Sequence, residues 1–241
     1  MALAFRRVLL KLSGEALMGQ REFGLDGPSI QALARELSQA LSLGASLAVV
    51  VGGGNIFRGF SEAARQMDRV QADRIGLLAT VVNALVLREA LVAEGVAARV
   101  MSALAMEPIA ERFDREEALK LLDGGQIVIF AAGTGLPYFT TDTAAALRAA
   151  EVKAEALFKA TKVDGVYDSD PLKNPQARRF ERLDYQEAIA RNLRVMDQTA
   201  LSFCREHQLP IVVFKLALGN LAKALNGQAV GTLISGQGQG G

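Results

Sequence analysis

Residues 134–142, with the sequence TGLPYFTTD, place hydroxyls, accessible backbone amides and a carboxylate directly after a run of apolar side chains. The apolar run, residues 127–132, is typical of a buried parallel strand, and residues 143–150 are typical of a helix. Residues 140–142 therefore fall at the start of a helix. Unpaired backbone amides and the positive end of the helix dipole gather there and favour an anion such as phosphate.

Helix capping alone would also place hydroxyls and a carboxylate at this position. Thr141 or Asp142 would serve as the capping residue, because both residue types are common there. Capping does not explain why Gly135, Pro137 and two adjacent aromatic residues share one exposed turn. We therefore predict that this loop binds a ligand as well as capping the helix.

Cationic and glycine-rich residues follow two other predicted strands. Lys11 closes the first apolar strand and precedes a Leu-Ser-Gly turn, so its ammonium could reach a phosphate. The second strand ends in GGGN, residues 52–55, where the missing side chains let backbone amides approach a phosphate. Arg58 follows, and its planar guanidinium can hold phosphate oxygens and offset charge that develops during phosphoryl transfer.

Two well-known glycine motifs are excluded by spacing. No Gly-Lys-Ser/Thr run with the Walker spacing occurs in the sequence. The Rossmann fingerprint also fails, because counting from Gly52 the second glycine is Gly54 but the third position is Phe57. The glycine run is weak evidence alone, and it gains weight from Lys11 and Asp142 on other predicted strands of the same sheet.

A fourth loop, residues 159–171 (KATKVDGVYDSDP), mixes turn-forming residues with charge. Its Asp-Gly and Asp-Pro pairs are ordinary turn formers. Tyr167 could stack on a purine, while Thr161 and Asp170 could form hydrogen bonds to a nucleotide. The residues alone do not decide between an ordinary turn and a loop that binds a nucleotide.

Apolar runs and amphipathic stretches alternate along the chain, which indicates an α/β fold with a mostly parallel sheet covered by helices on both faces. The predicted strands are residues 8–10, 47–51, 99–101, 127–131, 156–159 and 211–214. The predicted helices are residues 29–43, 72–94, 115–122, 143–150, 185–191, 198–207 and 218–225. Because ligands of such sheets bind beyond the carboxyl ends of the strands, the unusual loops are expected to form one site.

Composition indicates one globular domain over residues 1–235, followed by a Gly/Gln tail, residues 236–241, that is expected to be flexible. The chain has 241 residues, 50% of them hydrophobic, and a formal net charge of +1. Such balanced charge does not favour binding to nucleic acid or to an anionic membrane.

The single Cys204 excludes an internal disulfide and is expected to be a buried structural thiol. With neither a signal peptide nor an apolar run of about 20 residues, we expect a cytoplasmic protein.

At these four loops the chain closely resembles the bacterial uridylate kinases (UMP kinases) of the amino acid kinase superfamily, and the resemblance spans nearly the whole chain. Its most specific parts are KLSGE at residues 11–15, GGGNIFRG at residues 52–59, and the loops at residues 134–142 and 159–171.

The resemblance implies a three-layer α/β/α sandwich with the amino acid kinase (carbamate kinase-like) fold. It implies an enzyme, usually hexameric, that makes UDP from UMP with MgATP in pyrimidine nucleotide (CTP) biosynthesis, by direct in-line phosphoryl transfer. Lys11, Arg58 and Asp142 would be catalytic, with Asp142 organising lysines or magnesium. Direct metal ligands are not assigned by the resemblance.

The resemblance also assigns three sets of binding residues. Those expected to bind ATP are Lys11, Leu12, Ser13, Gly14, Gly54, Arg58, Thr161, Tyr167 and Asp170. Those expected to bind UMP are Gly53, Asp73, Thr134, Gly135, Leu136, Pro137, Tyr138, Phe139, Thr140 and Thr141. The segment expected to respond to GTP as an activator, with UTP as a common inhibitor, is Gly19, Gln20, Arg21, Glu22, Phe23 and Gly24.

One position departs from the family pattern, and two other functions stay open. Many members carry asparagine where this chain has Leu136, which predicts altered detail around UMP rather than another substrate. A related kinase of a carboxylate or carbamate would need a different acceptor pocket. A non-catalytic storage protein for molybdenum or tungsten oxometallates also shares the fold, and Lys11 and Arg58 argue against that function.

Overall fold

A nine-stranded sheet runs through the centre of the molecule, in a computed structural model that describes residues 3–57, 66–171, 173–193 and 195–236. The strand order is β4-β3-β5-β2-β1-β6-β8-β9-β7, and neighbouring strands are parallel except for β8 and β9. The strands are β1 (Arg7–Leu12), β2 (Ser46–Val51), β3 (Ala98–Ser102), β4 (Glu111–Arg112), β5 (Ile127–Ala131), β6 (Ala156–Thr161), β7 (Arg182–Asp184), β8 (Ile211–Lys215) and β9 (Gly231–Ser235).

Helices cover both faces of the sheet, so the predicted three-layer α/β/α sandwich is confirmed. The first core lies between the sheet and α1, α2 and α7, and the second lies between the sheet and α3, α4, α5 and α6. The helices are α1 (Gly27–Ser42), α2 (Arg69–Ala93), α3 (Arg115–Asp123), α4 (Thr141–Glu151), α5 (Tyr185–Ala190), α6 (Gln198–Glu206) and α7 (Asn220–Leu225). A short 3-10 helix, Gly14–Leu17, follows β1.

All six predicted strands are present, and β4, β7 and β9 were missed. The central strands carry apolar residues on both faces, because helices bury both sides of a parallel sheet. β4 and β7 have only two and three residues, which is too short to give an alternating or apolar pattern. β9 pairs antiparallel to β8 at one side of the sheet.

The long helix α2 is apolar enough to cross a membrane by length and composition alone. It packs instead against the sheet, with Ala84, Leu87 and Leu91 fully buried in the first core. The buried share of its most apolar window is 44%. α2 is thus a core helix with one buried face.

The loops that follow β1 and β2 are pressed together at the carboxyl edge of the sheet. A Cβ atom added at Gly14 would lie 2.3 Å from Asn55 Oδ1 and 2.7 Å from the Gly52 carbonyl oxygen. Only glycine therefore fits at this position. The close approach brings together two of the loops that the sequence singled out for chemistry.

Candidate active site

Asp142 lies between two lysine ammoniums at the centre of this edge. Its Oδ1 is 2.9 Å from Lys11 Nζ, and its Oδ2 accepts a hydrogen bond of 2.7 Å from Lys159 Nζ. Lys11 on β1 is the register partner of Lys159 on β6, so both side chains project from the same face of the sheet. Asp142 reaches them from the first turn of α4, which covers that face. The structure thus unites Lys11 and Asp142, as predicted, and adds Lys159.

The three charges are almost entirely removed from water. The side chain of Lys11 is 11% exposed, and those of Lys159 and Asp142 are each 14% exposed. Burial alone would raise the pKa of the Asp142 carboxyl, but the Lys11 and Lys159 ammoniums outweigh burial and hold that pKa below its ordinary value. Burial lowers the pKa of Lys159, the Asp142 carboxylate partly offsets that effect, and the charge on Lys11 lowers the pKa further.

Two residues of this cluster received no role from the sequence. Lys159 was placed at the end of the predicted strand 156–159 and the start of the following loop, and a lysine at an alternate position of an apolar strand was a usable signal. Asp197 begins α6, where its carboxylate accepts from the Ala200 amide at 2.9 Å. It also accepts hydrogen bonds from the hydroxyls of Thr140 and Thr143. Asp197 therefore ties the start of α6 to the start of α4, beside Asp142.

The capping residue of α4 is Thr140, whereas Thr141 or Asp142 was expected. The Thr140 hydroxyl accepts from the amides of Asp142 and Thr143 at 3.0 and 3.3 Å. Thr141 is the first helical residue, so the helix begins two residues earlier than predicted. Because Thr140 performs the capping, the Asp142 carboxylate is left to contact the two lysines.

The loop between β5 and α4 turns sharply and exposes its apolar side chains. Ala132, Gly133, Gly135 and Tyr138 all have positive φ angles. The Tyr138 amide donates a hydrogen bond of 2.8 Å to the carboxylate of Asp73, near the start of α2. Side chains in the loop that face solvent are those of Leu136, Tyr138 and Phe139. The structure thus places Asp73 against the loop predicted to bind UMP.

The loop that follows β6 borders a cavity of about 560 Å³. Tyr167 and Asp170 line it together with Arg191, whereas Thr161 is not among the lining residues. The Thr161 hydroxyl instead donates to the Val163 carbonyl, 2.5 Å away, and shapes the start of the loop. Two of the three residues predicted here for a nucleotide therefore share one cavity.

The last residue of the segment at residues 19–24, Gly24, is hydrogen-bonded to Asn55 at the end of the glycine loop. The Gly24 amide donates to the Asn55 carbonyl at 2.7 Å, and Asn55 Nδ2 donates to the Gly24 carbonyl at 2.9 Å. Arg21 pairs with Asp26 at 3.5 Å, while the side chain of Phe23 is 77% exposed. The end of this segment is thus bound to the end of the glycine loop.

Arg58, the third predicted catalytic residue, lies outside the described residues, as do residues 237–241 of the predicted tail.

Cys204 is fully buried, and burial raises the pKa of its thiol to about 12. The expectation of a buried thiol is confirmed.

A profile of the amino acid kinase family matches residues 6–215 of this chain. The chain belongs to the amino acid kinase family. Among solved structures, this kinase is similar to the UMP kinase from Bacillus anthracis, with 39% identity, a TM-score of 0.93 and 97% of each chain covered.

Two further solved structures extend the comparison. The UMP kinase from Ureaplasma parvum is 36% identical with a TM-score of 0.89, covering 95% of this amino acid kinase and 98% of its own chain. The uridylate kinase from Archaeoglobus fulgidus is 30% identical with a TM-score of 0.75, covering 95% and 99% respectively. The predicted fold and family are thereby confirmed.

The acidic residues that the structure describes do not form a cage for a metal ion. Within the described ranges, no three or more His, Cys, Asp or Glu side chains come close enough together to hold one. Both oxygens of Asp142 face ammoniums, and those of Asp197 face hydroxyls and an amide. The residues therefore fit Mg²⁺ only as an ion held mainly by nucleotide phosphates and water.

Proposed function

We propose that this amino acid kinase is a UMP kinase, which transfers the γ-phosphoryl group of ATP to UMP and forms UDP for pyrimidine nucleotide synthesis in the cytoplasm. The observation that carries the reaction class is the buried cluster of Asp142 with Lys11 and Lys159. The acceptor is supported by the similarity to three uridylate kinases along nearly their whole length.

Transfer to UMP needs positioning and charge stabilisation more than proton chemistry. The phosphate of UMP is already ionised, so it can attack the γ-phosphorus without a general base. The oxygen that links the β- and γ-phosphates leaves with the bonding electron pair as ADP. Lys11 and Lys159 would offset the negative charge on the phosphoryl oxygens, and Asp142 would hold the two ammoniums at a fixed separation. We assign Arg58 the same electrostatic role on the basis of sequence.

Donor binding would use the loops after β1, β2 and β6. Backbone amides near Ser13, Gly14 and Gly54 would face the phosphates, because small residues leave them accessible. The 560 Å³ cavity beside Tyr167 and Asp170 would take the nucleoside part of ATP. Mg²⁺ bound to the phosphates would neutralise part of their charge.

Acceptor binding would use the loop between β5 and α4 together with Asp73 and Gly53. The exposed side chains of Leu136, Tyr138 and Phe139 offer an apolar surface for a pyrimidine ring, and the Thr141 hydroxyl at the start of α4 offers a donor to a phosphate. Residues assigned to UMP are Gly53, Asp73, Thr134, Gly135, Leu136, Pro137, Tyr138, Phe139, Thr140 and Thr141.

Association with further copies of the chain is supported by the outer face of α2. Ile75, Leu78 and Val82 are 37 to 52% exposed and recur at helical spacing, which leaves an apolar stripe facing away from the core. Burying this stripe against another copy would remove it from water. We propose a homohexamer, with GTP as activator through residues 19–24 and UTP as inhibitor.

The test is ADP formation from MgATP with UMP, run beside CMP, dUMP and N-acetylglutamate as acceptors. Turnover selective for UMP supports both the reaction and the acceptor loop. Turnover with another acceptor only would retain the kinase and overturn the substrate. No turnover with any acceptor, even with GTP present, would contradict the kinase function, and metal analysis for bound oxometallate would then test the storage function.

A further inference from the structure

Two polar side chains are buried on the inner face of α2, three residues apart. Thr80 is 3% exposed and Asn83 is fully buried. Residues with this spacing lie on the same side of a helix, one turn from each other. Each one contacts a different loop of the active site, although neither was singled out in the sequence.

Thr80 holds the start of the acceptor loop. Its hydroxyl donates to the Leu77 carbonyl at 2.7 Å, within its own helix, and accepts from the Ala132 amide at 2.8 Å. The hydroxyl hydrogen is thus donated to the Leu77 carbonyl, and an oxygen lone pair accepts a hydrogen bond from the Ala132 amide. Ala132 has a φ angle of 59°, where the chain leaves β5 and turns into the loop. This contact therefore fixes the point at which the acceptor loop begins.

Asn83 holds the glycine loop. Its Nδ2 donates to the Gly52 carbonyl at 2.6 Å and to Asn55 Oδ1 at 2.7 Å, and its Oδ1 accepts from Asn55 Nδ2 at 3.1 Å. The remaining donor of Asn55 contacts the Gly24 carbonyl. All four N–H donors of the two amides are thus used, which makes the network rigid and costly to break.

The backbone of the glycine loop lies directly on the same helix. A Cβ atom added at Gly53 would be 2.8 Å from Ala79 Cβ and 3.1 Å from the Thr80 amide nitrogen. Because Gly53 has no side chain, its backbone packs directly against α2, and α2 therefore supports both loops. The relative position of the two loops depends on a single rigid element.

We propose that Thr80 and Asn83 are positioning residues. They hold the acceptor loop, between β5 and α4, and the glycine loop, residues 52–55, at a fixed separation on α2. The inference rests on the proposed UMP kinase function. In-line transfer requires the two substrates to lie in near-attack geometry, and a misplacement of about 1 Å can cost roughly 100-fold in rate. Neither side chain has to touch a substrate to produce this effect.

The test compares Thr80→Val with Asn83→Ala in steady-state kinetics with both substrates varied. Thr80→Val keeps the shape and removes the hydroxyl, so KM for UMP should rise about threefold to tenfold, while KM for ATP changes by less than about twofold. Asn83→Ala should raise KM for ATP about threefold to tenfold and KM for UMP by a smaller factor, because Gly53 of the same loop is assigned to UMP. Both variants should lower kcat. Thr80→Ser restores the hydroxyl and should return KM for UMP to the wild-type value.

Tyr185→Phe is the matched control, because it removes a buried hydrogen bond at the opposite edge of the sheet. The Tyr185 hydroxyl donates to the Leu209 carbonyl, just before β8 begins. This variant should lower the melting temperature and leave both KM values unchanged. If Asn83→Ala does not fold, Asn83→Ser, which keeps one donor, is measured instead.

The possible failures can be told apart. Equal shifts of both KM values in Thr80→Val and Asn83→Ala would overturn the inference while UMP turnover by the wild-type chain persists. Variants that lose stability like Tyr185→Phe and keep wild-type kinetics would overturn it as well. A wild-type chain inactive with UMP overturns the proposed function, and with it this inference, before any variant is made.

Discussion

Lys159 Nζ donates a hydrogen bond of 2.7 Å to the Asp142 carboxylate, across the gap between β6 and the first turn of α4. The same ammonium donates to the Val195 carbonyl, 2.5 Å away. These two acceptors hold the Lys159 ammonium in one position, despite the like charge of Lys11 on the adjacent strand. A cation held in this way can stabilise developing charge without reorganising during the reaction.

Replacing Lys159 by methionine should lower kcat about 100-fold to 1000-fold, because it would remove one fixed donor that we propose for the transferring phosphoryl group. The measurement is kcat with saturating UMP and MgATP, beside circular dichroism to establish folding. Lys120→Met is the control, since Lys120 is 79% exposed at the end of α3. A folded Lys159→Met variant with a near-normal kcat would exclude Lys159 from the transition state.

The rate should fall at alkaline pH as Lys159 loses its proton. Burial lowers the pKa of Lys159 below the ordinary 10.5, so the protonated form disappears at a lower pH than for an exposed lysine. Lys159→Arg keeps its charge at all accessible pH values, so its alkaline fall should move to higher pH. An unchanged profile in Lys159→Arg would assign the titration to another group.

The Asp142 carboxylate should contribute stability at neutral pH that is lost in acid. Its pKa in the folded chain lies below the ordinary 3.8, so this contribution is full above that value and is lost as the pH falls through the folded pKa. Asp142→Asn removes the counterion that the two buried ammoniums share and should lower the free energy of unfolding by about 3–5 kcal/mol at pH 7.

Urea unfolding from pH 7 down into the acid range tests this prediction, with Asp123→Asn as the control. Asp123 pairs with Arg7 but is 66% exposed, so its loss should change the free energy of unfolding by less than about 1 kcal/mol. The difference between wild type and Asp142→Asn should shrink only at the acid end. A difference that stays constant there would contradict the assigned pKa shift.

Arg58→Ala should lower kcat severely without unfolding the chain. An arginine that contacts a transferring phosphoryl group is worth roughly 10³ to 10⁵ in rate, and the prediction applies that range to Arg58 from its place in the sequence. Arg58→Lys keeps the charge and loses the planar fork, so its activity should be intermediate. A near-normal rate in Arg58→Ala would remove Arg58 from the catalytic set.

The layered fold could be predicted from local features of the chain, and the family from its resemblance to uridylate kinases at four loops. Apolar strand runs alternate with amphipathic helices, and this order requires a parallel sheet with helices on both sides. Lys11 and Asp142 were recognisable because each lies at the junction of a strand or helix with an unusual loop. Such junctions are visible in sequence since only neighbouring residues define them.

The contacts that complete the site depend on pairings between residues far apart in the chain. Lys159 faces Asp142 because β6 pairs with β1 in a register that places Lys159 beside Lys11. Asp197 and Asn83 join the site through helices that dock on opposite faces of the sheet. The sequence by itself determined which residue types stand at the loop junctions. Only the tertiary structure decided which of them meet, because strand order and register follow from burial of the whole sheet rather than from any local pattern.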